Sequence, residues 1–118
     1  MSAPYDSNRY RATIIRHIDA DTTHATVHLG LDVSIDATFR WAGIDAPERY
    51  TEEGKIATAW LNDRLPPGYL CEITTAKDRR EKFGRYLATF WRLPDDVASV
   101  NAAMVLLGYA VPYDGGPR

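Results

Sequence analysis

Apolar residues fall on alternate positions through the first forty residues of the chain. Ala12, Ile14 and Ile18 keep one parity, with Arg16 interrupting the apolar series. Ala25, Val27 and Leu29 alternate with Thr26 and His28. Val33, Ile35, Ala37, Phe39 and Trp41 alternate with Ser34, Asp36, Thr38 and Arg40. A period of two sends successive side chains to opposite faces, so each run predicts a strand with one dry face and one wet face. Short connections at 19–21 and 30–32 join the runs into a three-stranded meander.

The period changes at Glu52. Ala57, Trp60, Leu61 and Leu65 lie on one helical stripe, which predicts a helix over 52–65. Thr51 is a capping residue and Glu52 and Glu53 complement the positive end of the helix. Pro66-Pro67-Gly68 ends it. Leu70 to Thr75 reads as a fourth strand and Arg85 to Arg92 as a fifth. Ser99 is the expected N-cap of a second helix with the stripe Val100, Ala103, Met104 and Leu107, closed by Gly108. This order predicts an α+β domain: a five-stranded barrel with helices packed on it, for which the OB-fold is the best-known architecture.

With 118 residues there is room for one domain, long enough to bury a core without staples. A single cysteine, Cys71, excludes an internal disulfide and reads as a small core residue. The first residues contain no apolar core of a signal peptide, so the expected location is the cytoplasm, with a longer secreted precursor left open. No apolar run has the length of a membrane span. The net charge of −2 argues against a protein that coats nucleic acid by charge alone. It does not argue against one that grips a few phosphates locally. His17, His24 and His28 have no zinc spacing and read as surface residues, and Trp41, Trp60 and Trp91 read as core, with base stacking left open for Trp41 or Trp91.

Polar residues able to do chemistry gather in three places. Asp19-Ala20-Asp21-Thr22 makes the first turn. Arg40 leaves the third strand on the face opposite Phe39 and Trp41, and Asp45 and Glu48 follow on a loop stiffened by Pro47. Residues 77–85 hold Lys77, Arg79, Arg80, Lys82 and Arg85 against Asp78 and Glu81, the one sizeable basic run. Each group alone has an ordinary reading: a turn, a surface ion pair, a solvated loop.

Together, and in this order, they are more specific. Ile18-Asp19-Ala20-Asp21-Thr22, then Phe39 through Glu48, then Lys82-Phe83-Gly84-Arg85-Tyr86-Leu87-Ala88, then Val100-Asn101 through Gly108-Tyr109-Ala110 resembles the motif series of the staphylococcal nuclease (thermonuclease-like) family over residues 10–112. The resemblance implies a Ca²⁺-dependent phosphodiesterase acting on DNA or RNA and leaving a 3′-phosphate. It implies that Asp21, Asp45 and the carbonyl of Ala46 hold the metal, that Glu48 is the general base, and that Arg40 and Arg85 clamp the phosphate. Lys82 and Phe83 would line the nucleotide pocket. Such an assignment makes physical sense. Attack on an already anionic diester needs positive charge where negative charge grows and a base beside the attacking water.

Three departures from the family pattern carry expectations. Ala20 replaces a glycine, and alanine resists positive φ, so the turn is expected to change type and to make Asp21 the least secure ligand. A loop that is longer in secreted members is short after Glu48. The family's third, C-terminal helix has no counterpart before Arg118, which exposes barrel surface that a second copy, in a homodimer, could cover. Two other readings stand beside the enzyme: a catalytically inactive OB-fold that binds nucleic acid or protein, and a small interaction module.

Overall fold

The computed structural model describes residues 9–77 and 86–113. Five strands close a barrel in the order β1 (Arg9–Asp19), β2 (Thr22–Gly30), β3 (Val33–Trp41), β6 (Tyr86–Trp91), β5 (Leu70–Lys77) and back to β1. A ribbon of β4 (Ile44–Asp45) and β7 (Val111–Pro112) and the helices α1 (Glu52–Arg64) and α2 (Val100–Leu106) complete the described residues. The expected α+β fold, an OB-type five-stranded barrel with two helices, is what the chain adopts. The pairing is antiparallel except where β3 meets β6, in register from Phe39↔Tyr86 to Trp41↔Ala88. That parallel seam closes the barrel and leaves no free edge beside Phe39, Arg40 and Trp41.

The interior is built on Trp41, whose ring stacks on Phe90 at 4.1 Å between centroids and 15° between planes. Ala12, Ala25, Ala88, Ile14, Ile73, Leu61, Leu65 and Met104 are buried in the same core. Both helix starts are capped as the sequence suggests: Thr51 Oγ1 accepts from the Gly54 amide and Ser99 Oγ from the Ala102 amide, each at 3.0 Å. Caps of this kind contribute about 1 kcal/mol each.

Several expectations need correction. His17 is buried, not at the surface. Irregularities between Ile14 and Arg16 and between His17 and Asp19 shift the register of β1, so side-chain parity changes along the strand and His17 turns inward. Its Nε2 donates to the Leu65 carbonyl at the end of α1 (2.8 Å). Its Nδ1 bonds the Thr23 hydroxyl at 2.7 Å, and that oxygen also accepts from the Trp41 indole N–H at 2.8 Å. Burial holds its pKa below the usual histidine value, partly offset by the Leu65 bond.

Leu29, at a register irregularity of β2, is 44% exposed, and Val33 and Ile35, which keep the core parity, stand about half exposed near the turn of the β2–β3 hairpin. Its two-residue turn holds Leu31 at φ +54° and Asp32 at φ +64°, and Leu31 is 98% exposed. Leu107 is 55% exposed and outside the core. Trp60 and Trp91 are half-buried, and only Trp41 is an interior tryptophan. Ala20 does not take positive φ; its methyl is fully buried, so the turn needs no glycine. Among the described residues no helix is long and apolar enough to cross a membrane.

Candidate active site

The β1–β2 turn and the segment 45–49 face each other at the end of the barrel where β3 finishes. Asp19, Asp21, Arg40, Asp45, Ala46, Pro47 and Glu48 line an open cleft of about 410 Å³. Five of the eight residues implied by the resemblance are therefore brought together: Asp21, Arg40, Asp45, Ala46 and Glu48. Lys82, Phe83 and Arg85 lie outside the described residues.

Asp21 is nearly buried, at 6% exposure. Its Oδ1 accepts from the Thr22 hydroxyl (3.2 Å) and its Oδ2 from the Ala46 amide (3.0 Å). The backbone of Asp21 is pinned as well, because its carbonyl accepts from the Trp41 amide at 2.9 Å. Replacing the expected glycine by Ala20 has thus not displaced the carboxylate from the cleft.

Arg40 is aimed by two strands at once. On β3 it sits opposite Thr22 of β2 and Leu87 of β6. Its Nη2 stands 3.7 Å from Asp21 Oδ2, while its Nε is buried without a hydrogen-bond partner. A buried donor left unmatched costs about 1–3 kcal/mol.

Asp45 is not on a free loop, as the sequence suggested, but on β4, whose register Ile44↔Pro112 and Asp45↔Val111 ties it to the chain end of the described domain. Asn101, which motif order alone leaves without a role of its own, locks the neighbouring backbone. Its Oδ1 accepts from the Phe90 amide (2.9 Å) and its Nδ2 donates to the carbonyls of Ala42 (2.9 Å) and Ala88 (3.1 Å).

Glu48 is exposed at the rim, where it can meet water. Its own carbonyl accepts from the amide and the hydroxyl of Thr51, at 3.0 and 2.7 Å. Asp19, read from sequence as turn chemistry alone, is also in the cleft, and its Oδ1 accepts from the Arg49 amide at 3.1 Å.

Four carboxylates and one guanidinium give the cleft an excess of negative charge that favours a cation. Among the described residues no group of three His, Cys, Asp or Glu side chains converges as a ready metal cage. The donor set implied here is smaller: two carboxylates, one carbonyl and water, the oxygen-only chemistry of a hard cation. A carboxylate offers about four lone-pair positions, and the Thr22 and Ala46 bonds use two of those on Asp21. The residues present therefore fit a hard divalent ion.

No family model matches the chain. Among curated proteins it is similar to one named Endonuclease YhcR, of Bacillus subtilis (strain 168), with 27% identity over 121 residues. That relative is a nuclease by name. The similarity takes in 93% of this chain but 9% of the relative, so the chain spans less than a tenth of the relative's length.

Proposed function

We propose that this domain is a nuclease: a Ca²⁺-dependent phosphodiesterase that hydrolyses DNA or RNA. The observation that carries the reading is Arg40 set beside Asp21, Asp45 and Glu48 in one open cleft. A guanidinium paired only to Asp21 would be a structural ion pair. One that lines an open cleft and stands 3.7 Å from that carboxylate is only loosely paired, and a phosphodiester offers two oxygens that match the arginine fork. The similarity to a named endonuclease supports the same substrate class.

In this reading Asp21, Asp45 and the carbonyl of Ala46 hold Ca²⁺, which when bound supplies positive charge beside the scissile phosphate. Arg40 donates to the phosphoryl oxygens as negative charge accumulates on them. Its two-strand anchorage means little reorganisation is needed at that moment. Glu48, at the solvent rim, takes a proton from the attacking water. Arg85, Lys82 and Phe83 are assigned by resemblance as the second arginine of the clamp and the nucleotide-pocket residues. A 3′-phosphate product is assigned on the same ground.

Digestion of single-stranded DNA and of RNA with Ca²⁺, with chelator, and with Glu48→Gln tests this. The wild type should cut with Ca²⁺ and stop under chelation, and Glu48→Gln should lose about 10²–10⁴ in rate. Undiminished cutting by the variant or under chelation would sink the mechanism. No cutting with any metal would favour the inactive OB-fold binding module.

A further inference from the structure

We propose that Gly54 and Asp19 are positioning residues that grip the Glu48 loop from two sides and so fix where its carboxylate stands. This rests on the reading of Glu48 as the general base. On the barrel side, both carboxylates of the β1–β2 turn bind backbone amides of the loop. Asp21 holds Ala46 N–H and Asp19 holds Arg49 N–H, so the two amides that bracket Pro47-Glu48 are tied to the same turn. Pro47 offers no N–H of its own. Asp19 and Asp21 thus set the loop's height above the barrel.

On the opposite side stands the first turn of α1. Thr51 closes on the Glu48 carbonyl through its amide and its hydroxyl. The same hydroxyl oxygen accepts from Gly54 N–H. Gly54 is buried, and a Cβ placed on it would overlap the Glu48 carbonyl oxygen. Its φ is not positive, so backbone freedom is not what glycine contributes at this position. A glycine inside a helix is less favourable than alanine. What it supplies is space: the helix can approach Glu48 only if residue 54 has no side chain. Carboxylate reach depends on that approach, because a shift of about 1 Å in a reacting group can cost about a hundredfold in rate.

The test combines crystal structures with steady-state kinetics on a single-stranded oligonucleotide with Ca²⁺, for wild type, Gly54→Ala, Asp19→Ala and Asp19→Asn. Gly54→Ala is expected to displace the Glu48 backbone by about 1 Å and to lower kcat about a hundredfold with KM unchanged. Asp19→Ala should lower kcat about tenfold, and Asp19→Asn should restore it, because a carboxamide oxygen still accepts the Arg49 N–H. Wild-type kcat in Gly54→Ala, a loss carried by KM, or an Asp19→Asn as impaired as Asp19→Ala would each overturn the proposal. Should Gly54→Ala not fold, the Asp19 pair decides alone. If the wild type cuts nothing, the general-base reading fails. The crystal structures still decide the grip: a Glu48 loop displaced in Asp19→Ala but not in Asp19→Asn upholds it, and an undisplaced loop overturns it.

Discussion

The two ends of the β2–β3 hairpin share strands, pairing and alternation, yet they have opposite characters. At one end Thr23, Phe39 and Trp41 are buried and Arg40 is held in the cleft. At the other, Val33 and Ile35 keep the core parity of β3 and stand about half exposed. What separates them is cover. Among the described residues β6 pairs with β3 at Phe39, Arg40 and Trp41, and Asn101 of α2 bonds the backbone there. Parity chooses the face a side chain takes; a third element decides whether that face is dry. Catalytic groups belong at the covered end, because an aimed side chain needs a rigid base and a low-dielectric surround.

This contrast can be broken most severely at Trp41. Trp41→Ala removes the stack with Phe90 and the bond to Thr23, and should cost about 3–5 kcal/mol in urea-melt stability. Arg40→Lys keeps the charge and loses the fork. It should lower cleavage about a hundredfold or more while the urea midpoint stays close to wild type. Asn101→Ala leaves the Phe90 amide and the Ala42 carbonyl without this partner and should cost about 2–3 kcal/mol by the same melt.

His17 sharpens the comparison through pH. The unfolded chain takes up a proton near the ordinary value of 6.5, and the buried ring resists it. The unfolded state therefore binds more protons below that pH, so stability is complete above it, falls as pH drops through it, and levels off below the lowered folded value. Thermal melts between pH 8 and pH 5, whose range is chosen to bracket about one histidine titration, should show this decline, and His17→Gln should flatten it. The smallest effects belong to the far end. Leu31→Gly relieves an L-residue at φ +54° and should raise stability by about 1 kcal/mol. Ile35→Ser should change stability by less than about 0.5 kcal/mol. A large loss at Ile35 would show that the far end is covered after all.

The barrel was legible because its determinants are local and periodic. The alternation of β2 and β3, the Thr51 and Ser99 caps and the Pro66-Pro67-Gly68 stop each act within a few residues. The cleft was legible through motif order, which brought Asp21, Arg40, Asp45, Ala46 and Glu48 to one place. What escaped depends on contacts across long stretches of chain. His17 is buried by register irregularities in β1 that leave no mark in residue types. The β4–β7 ribbon has two residues per strand, too short for any period. Asn101 earns its role from carbonyls at Ala42 and Ala88. Gly54 looks like a weak spot in a helical stripe until the Glu48 carbonyl is seen against it, and Asp19 looks like turn chemistry until Arg49 is placed.

The exposed turn at Leu31 also makes this molecule easy to handle. Gly30 lies eight positions along β2 from Thr22, a span of about 27 Å from the cleft. Cys71, the only cysteine in the chain, is buried, and burial pushes its thiol up to about 12, so it is inert to ordinary maleimides in the folded protein. A Leu31→Cys substitution therefore offers one reactive sulfur at the far pole of the barrel. A dye or a surface tether fixed there leaves the cleft facing outward.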